Sequence, residues 1–206
     1  MLPTTLLTLG AILGITSALP VEYALDKRVC GSVSLPQTLV QLHENDPDTP
    51  YGDTAHTNQD MLLYQDVNGA TGQVADRISE LVAFVGPVGA YGCSLGLTFP
   101  SDYTFPTYTG ATPTLNIYTV PEPIPADPTW NNIIPNKGSL WGTVTVSAGT
   151  SAVINTETCP TTAEGGLAFV FEYADWVTRP ASVEWNNYVN AMNGAGLRGV
   201  YLSYDC

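Results

Sequence analysis

From Tyr91 to Phe99 the chain reads Tyr-Gly-Cys-Ser-Leu-Gly-Leu-Thr-Phe, with apolar residues at Tyr91, Cys93, Leu95, Leu97 and Phe99 and small or hydroxylated ones between them. A period of two is the mark of a strand with one buried face. Short segments of similar character recur at Thr38 to His43, Met61 to Gln65, Ile78 to Val85, Thr114 to Val120, Leu140 to Val146, Ala152 to Thr156, Leu167 to Tyr173 and Leu197 to Tyr204. Clusters of Gly, Pro, Asn and Asp separate them, which is the punctuation of an all-β chain. The pattern predicts a jelly-roll-like β-sandwich of about eight or nine strands.

Within that frame, Leu167, Phe169, Phe171 and Tyr173 share one face. Leu140, Val144 and Val146 define another core face, with Trp141 opposite it. Gly86-Pro87-Val88-Gly89 supplies turn residues that would fold Ile78–Val85 and Tyr91–Phe99 into a hairpin. One stretch departs from the strand pattern. Between Pro180 and Asn193 the residues Ala181, Trp185, Tyr188, Val189 and Met192 fall at helical spacing, and Gly194 suits a C-terminal cap. The spacing predicts one short helix there, near the C-terminus. From Pro121 to Lys137 the density of prolines predicts a long loop carrying Trp130.

The first residues read as a processing signal. Leu6 to Ile15 is an apolar run too short to span a bilayer, and Thr16-Ser17-Ala18 places small residues at a signal-peptidase site, so residues 1–18 are expected to be a signal peptide. Lys27-Arg28 is a dibasic pair of the kind secretory endoproteases cut, giving a short pro-segment at 19–28 and a single domain at 29–206. An exposed basic pair that is never cut is the alternative. Cys30, Cys93, Cys159 and Cys206 are an even number in an expected oxidising compartment, so two disulfides are expected. Three pairings are open; a Cys159–Cys206 bond, for one, would close a loop for which chain entropy gives roughly 4 kcal/mol. Zinc is disfavoured, because no two cysteines stand close in sequence and no histidine accompanies them. The last residues, Asp205-Cys206, follow no apolar tail, and no Asn-x-Ser/Thr sequon occurs, so the expectation is soluble secretion with any glycans O-linked.

Charge excludes several partners. The sequence carries 19 Asp and Glu against 6 Lys and Arg, a formal net charge of -13. Beyond the dibasic pair the cations are Arg77, Lys137, Arg179 and Arg198 alone. Such a chain is repelled by nucleic acid and by anionic membrane surfaces. No membrane span and no cofactor is expected, and nothing in the sequence sets an oligomeric state.

Four motifs bear on chemistry. Gly92-Cys93-Ser94-Leu95-Gly96 matches the nucleophile elbow G-x-S-x-G, which requires a strand, a sharp turn and a helix. Here the alternation runs straight through to Phe99, and both histidines, His43 and His56, precede the serine, so Ser94 is expected on the outer face of a strand. The two glycines share that face, where a neighbouring backbone could approach closely. Glu172 and Glu184, beside Trp176 and Trp185, are the carboxylates a glycosidase would use if they faced one cleft. Asp46, Asp48 and Asp53 could wrap a calcium ion, although Pro50 and Gly52 depart from the spacing of an EF-hand. Tryptophan is the last signal: Trp130, and Trp176 with its neighbour Asp175, could stack on and bond to a sugar ring, against the alternative that each simply packs.

The run Leu167-Ala-Phe-Val-Phe-Glu-Tyr-Ala-Asp-Trp-Val-Thr-Arg-Pro-Ala-Ser-Val-Glu-Trp-Asn-Asn-Tyr, the ending Gly196-Leu-Arg-Gly-Val-Tyr-Leu-Ser-Tyr-Asp-Cys206 and the block Gly89 to Pro100 resemble the C-terminal domain of the fungal "ubiquitin 3 binding protein" family. The resemblance implies a fungal, secreted or wall-associated protein and supplies no catalytic residues. Its ubiquitin-type partner is intracellular, which a chain with a signal peptide would not meet. The expectation is therefore a secreted, non-catalytic β-sandwich at the cell wall or in the extracellular matrix, holding wall polysaccharide through Trp130, Trp176 and Asp175. The alternatives are an effector that binds a host protein outside the cell, or a glycoside hydrolase. Mass spectrometry of the secreted protein is expected to find Val29 at the amino terminus; a chain beginning at Leu19 would exclude the pro-segment.

Overall fold

The computed structural model describes residues 32–87, 89–160, 166–187 and 198–205. They form two antiparallel sheets. One has four strands in the order β1 (Ser32–Ser34), β12 (Gly199–Tyr204), β5 (Cys93–Thr98) and β9 (Ser151–Glu157). The other runs β6 (Thr107–Gly110), β11 (Ala181–Asn186), β3 (Asp60–Val67), β4 (Val74–Val85), β10 (Gly166–Tyr173), β7 (Thr114–Val120) and β8 (Leu140–Thr145), with β2 (Thr38–His43) added on β4. Inward side chains of both sheets interleave in one core, among them Leu63, Phe84, Leu95, Leu97, Phe171 and Trp185. The all-β sandwich expected from the alternation is the fold observed.

Strand β4 organises the larger sheet. Ile78 pairs with both His43 and Tyr64, so β2 and β3 lie on opposite edges of it. Glu80 pairs with both Gln41 and Phe171, so β2 and β10 also lie on opposite edges. Strands β3 and β10 therefore follow one another along a single edge of β4, and the sheet forks where one gives way to the other. Leu62, just past the fork, loses its ladder partner on β4, and its N–H donates instead to Glu80 Oε2 at 3.3 Å. The Tyr173 hydroxyl reaches Leu63 O at 3.5 Å from the other branch. Glu80 is 0% exposed, and its Oε1 has no hydrogen-bond partner among the described residues. Burial pushes its carboxyl well above the usual range, opposed by the Leu62 hydrogen bond and assisted by repulsion from Asp60 and Asp53.

The outward face of β4 and β10 is also covered. Val40, Leu42, Leu81, Ala83, Val120, Ala168 and Val170 form a second core with Trp130 and Ile133. The residues after β7 supply its lid, and they hold the short helix α1 (Trp130–Ile133), followed by a 3-10 turn at Ile134–Asn136. Thr129 caps α1 by accepting from Asn132 N, while Asn132 Oδ1 accepts from Thr129 N.

Several expectations are corrected. The helix expected over Pro180–Asn193 is strand β11 as far as Asn186, and its remainder at 188–193 lies outside the described residues. Ala181, Val183 and Trp185 are spaced for either structure, and pairing with β3 and β6 selects the strand. The proline-rich loop holds the helix instead. Ile78–Val85 and Tyr91–Phe99 do not form a hairpin, because the chain between them crosses from one sheet to the other. Leu140 is 52% exposed while Trp141 packs on the core, 5.7 Å from Phe169. A register shift in the β7–β8 pairing, where Ile117 faces Gly142 but Tyr118 faces Leu140, puts one extra residue on the inner face and reverses the alternation. Cys93 bonds to Cys159, tying β5 to the end of β9, which excludes the Cys159–Cys206 pairing. Closing that 66-residue separation stabilises the fold by about 4 kcal/mol in the chain-entropy model. Cys30 and Cys206 lie outside the described residues, as do Ala18, Lys27 and Arg28.

Glu80 makes stability depend on pH. In the unfolded chain its carboxyl ionises in the ordinary range, whereas the folded chain keeps the proton to higher pH. Between those points the folded state binds more protons, so stability falls as pH rises and is greatest on the acid side. Thermal denaturation between about pH 4 and pH 7 is expected to show a shallower fall in Tm for Glu80→Gln than for the parent. Parallel curves would remove Glu80 as a source of the slope.

Candidate functional site

The turn between β10 and β11 displays Trp176. The residue is 64% exposed, together with Tyr91 the most exposed aromatic among the described residues. Trp176 shares a cavity of about 270 Å³ with Ala111, Thr112, Thr114, Val177, Thr178 and Arg179. Two segments build it: the β6–β7 connection and the start of β7 bring Ala111, Thr112 and Thr114, and the β10–β11 turn brings Trp176, Val177, Thr178 and Arg179.

The turn is held from beneath. Gln65 on β3 is buried, and its Nε2 donates to Val177 O at 2.6 Å and Arg179 O at 2.8 Å. Ala174 N donates to Thr114 O, Val177 N to Ala174 O and Ala111 N to Pro180 O. Gly110, at φ +78°, lies so close to the Pro180 carbonyl that a Cβ could not be accommodated. The turn thus presents its tryptophan on fixed backbone. Asp175 is exposed next to it, and Arg179 makes no ion pair among the described residues. An indole, three threonines and an arginine thus line one shallow cavity, with exposed Asp175 adjacent to the tryptophan in sequence.

Trp130 lies elsewhere. It is 8% exposed within the second core, under the Arg77 guanidinium at 5.0 Å, and offers no face to a ligand. Arg77 also donates from Nη2 and Nε to Glu44. Burial opposes ionisation of Glu44, but these bonds and the arginine charge hold its carboxyl below the usual range.

The other motifs separate. Ser94 is 6% exposed and shares a 2.7 Å hydrogen bond with Thr156 Oγ1. No histidine approaches it: His43 stacks on Tyr51 at 3.7 Å in the other sheet, and His56 sits on an exposed turn. Gly96 on the same face is roofed by the ring of Tyr201, a side chain where a backbone was expected. Glu172 is ion-paired with Lys137, whose ammonium also lies 4.0 Å above the Tyr118 ring. Glu184 instead accepts from Thr107 Oγ1 at 2.7 Å, and its charge, after burial, raises the carboxyl of Asp60. The two glutamates share no partner. Asp46 accepts from Tyr51, Asp48 from Asn131, and Asp53 from the Leu39 and Ala55 amides. Among the described residues no three acidic, histidine or cysteine side chains are placed to hold a metal.

Gln65 is the residue that sequence reasoning missed. It sits at an inward position of a strand beside Leu63, and an amide there signals a buried carbonyl partner, but nothing local says which loop supplies it.

Comparison with known proteins gives one family. Residues 63–177 match the family model described as ubiquitin 3 binding protein But2 C-terminal domain, more than half of the chain. The match takes in Gln65, both bonded cysteines and Trp176, and ends before β11 and β12. No curated protein matches the chain. No helix among the described residues is long and apolar enough to cross a membrane.

If Gln65 fixes the turn, Gln65→Ala should release it. Hydrogen exchange at the Val177 amide is expected to accelerate by about tenfold or more, from loss of two buried hydrogen bonds, while amides in the middle of β10 change little. Equal acceleration at both places would mean general destabilisation and no special role for Gln65.

Proposed function

This chain belongs to the ubiquitin 3 binding protein But2 C-terminal domain family, and on that premise we propose that it is a secreted, non-catalytic binding domain that holds neutral wall polysaccharide at Trp176. The observation that carries this reading is the exposed indole on a turn pinned by Gln65, beside a cavity edged by Thr112, Thr114, Thr178 and Arg179. Sugar rings stack their apolar faces on such an indole while hydroxyl and guanidinium groups bond their rims. A net charge of -13 favours uncharged glucan, mannan or chitin over acidic polymers. The Cys93–Cys159 bond and the apolar leader are in keeping with an oxidising, extracellular setting. The absence of a histidine near Ser94 and the separate neighbours of Glu172 and Glu184 support binding without chemistry.

A second reading has one observation in its favour. The family's description names a protein that binds another protein, and Trp176 with Arg179 would serve as an anchor in such an interface. Both readings use the same surface, so one experiment separates them. Pull-down of the secreted protein on insoluble chitin, β-glucan and mannan is expected to retain it, and Trp176→Ala to weaken retention by about tenfold, while Trp130→Phe leaves it unchanged. Absence of retention on all three matrices would exclude the polysaccharide reading and leave the protein partner.

A further inference from the structure

A larger cavity lies on the opposite side of β2 from β4, remote in sequence from the Trp176 turn. It encloses about 560 Å³ between the 50–53 segment and the proline-rich 124–128 segment, above Thr38 and Val40. This is the size of a small-ligand site. Its walls are laced together before any ligand arrives. Asn131 donates from its backbone N to Pro47 O at 3.0 Å and from Nδ2 to Asp48 Oδ1 at 2.8 Å, joining one loop to the other. The Tyr51 ring is stacked on His43 and its hydroxyl donates to Asp46. Asp53 Oδ1 is held by the amides of Leu39 and Ala55, both at 2.9 Å.

The chemistry of the lining has a definite sign. Asp53 and Asp127 contribute carboxylates, Tyr51 a phenol, and Val40, Ile124 and the prolines an apolar surface. No lysine, arginine or histidine lines the cavity. Arg77 and Lys137 are ion-paired elsewhere, with Glu44 and Glu172. Asp53 uses Oδ1 for both amides, and among the described residues neither its Oδ2 nor the Asp127 carboxylate has a hydrogen-bond partner. An apolar wall with two exposed carboxylates in its lining matches a cation on an aliphatic stem, which covers its methylenes and keeps its head against the acids.

We propose that this cavity binds an alkylammonium group: a primary amine on a flexible aliphatic chain, free as a polyamine or carried as a lysine side chain. The stem lies along Val40, Ile124 and the proline rings, and the ammonium sits between Asp53 and Asp127. The site is independent of Trp176 and of what that surface binds.

The test titrates the intact secreted protein by amide NMR with spermidine, with an acetylated and amidated Gly-Lys-Gly peptide, and with 1,6-hexanediol as a neutral analogue of the stem. Saturable shifts at Tyr51, Asp53 and Asp127 are expected with at least one amine and not with the diol. Response to spermidine alone identifies a free polyamine, and response to the peptide identifies a protein-borne lysine. Asp127→Asn, on an exposed loop, should weaken binding about fivefold, whereas Asp102→Asn, exposed on a different loop, should change it less than about twofold. The proposal is overturned if neither amine gives saturable shifts at about 10 mM, if the diol binds as well as the amines, or if both variants weaken binding equally, which would mean diffuse attraction to an acidic protein.

Discussion

The fork on β4 is the constraint on which the rest of the larger sheet depends. One edge of a 12-residue strand serves β3 along its first half and β10 along its second. Two strands can share an edge only by diverging, and divergence strands backbone groups that a continuous ladder would have paired. Glu80 supplies the missing acceptor for Leu62, and Gln65 ties the β3 branch to the turn that follows β10. A carboxyl in such a place is biased toward its neutral form, because an ion there would lack both water and a countercharge. The branch carried by β3 then holds β11 and β6, and the branch carried by β10 holds β7 and β8. Trp176 sits on the turn that joins the two branches, so the geometry of the fork sets where the site can be.

Most of the strands were legible because their periodicity is local. Thr38–His43 and Thr114–Val120 coincide with β2 and β7, and Leu167, Phe169, Phe171 and Tyr173 do share the inner face of β10. What was not legible depends on partners. Strand β6 has a mostly exposed four-residue sequence, and β1 has only three residues, so neither contains enough alternation to register. Strand β11 has its apolar residues at positions compatible with both periods, and only its neighbours decide. The bulge opposite Tyr118 is likewise invisible in Leu140-Trp141-Gly142, yet it exchanges which residue faces the core.

The site shows the same division. Trp130 and Trp176 both stand in irregular segments with acidic or polar neighbours, and composition treats them alike. They differ in what lies below. The residues around Trp130 cover an outward face of β4 and β10 that is itself apolar, with Leu81, Ala83, Ala168 and Val170 on it, so the indole is drawn down onto a second core. A reader of the sequence could have noticed that β10 is apolar at nearly every position, Gly166-Leu-Ala-Phe-Val-Phe, which is the pattern of a strand covered on both faces and implies a lid. Beneath the Trp176 turn lies the amide of Gln65, which secures backbone carbonyls and leaves the side chain above them in water.

The distribution of charge completes this picture. Of the described cations, Arg77 and Lys137 are spent on Glu44 and Glu172, at the margins of the second core, where each also lies over an aromatic ring. Their positive charge is local and already compensated, so among the described residues the other carboxylates have no ion-pair partner and rely on neutral donors or water. The carboxyls of Glu80, Asp60 and Glu157 are all shifted toward the neutral acid, each chiefly because burial disfavours the ion. The same arrangement makes self-repulsion weaker as pH falls and more of the exposed acids take up protons. Burial of Glu80 thus contributes stability that is greatest in acid, while the indole, hydroxyl and guanidinium groups around Trp176 keep their hydrogen-bonding form when carboxylates are protonated.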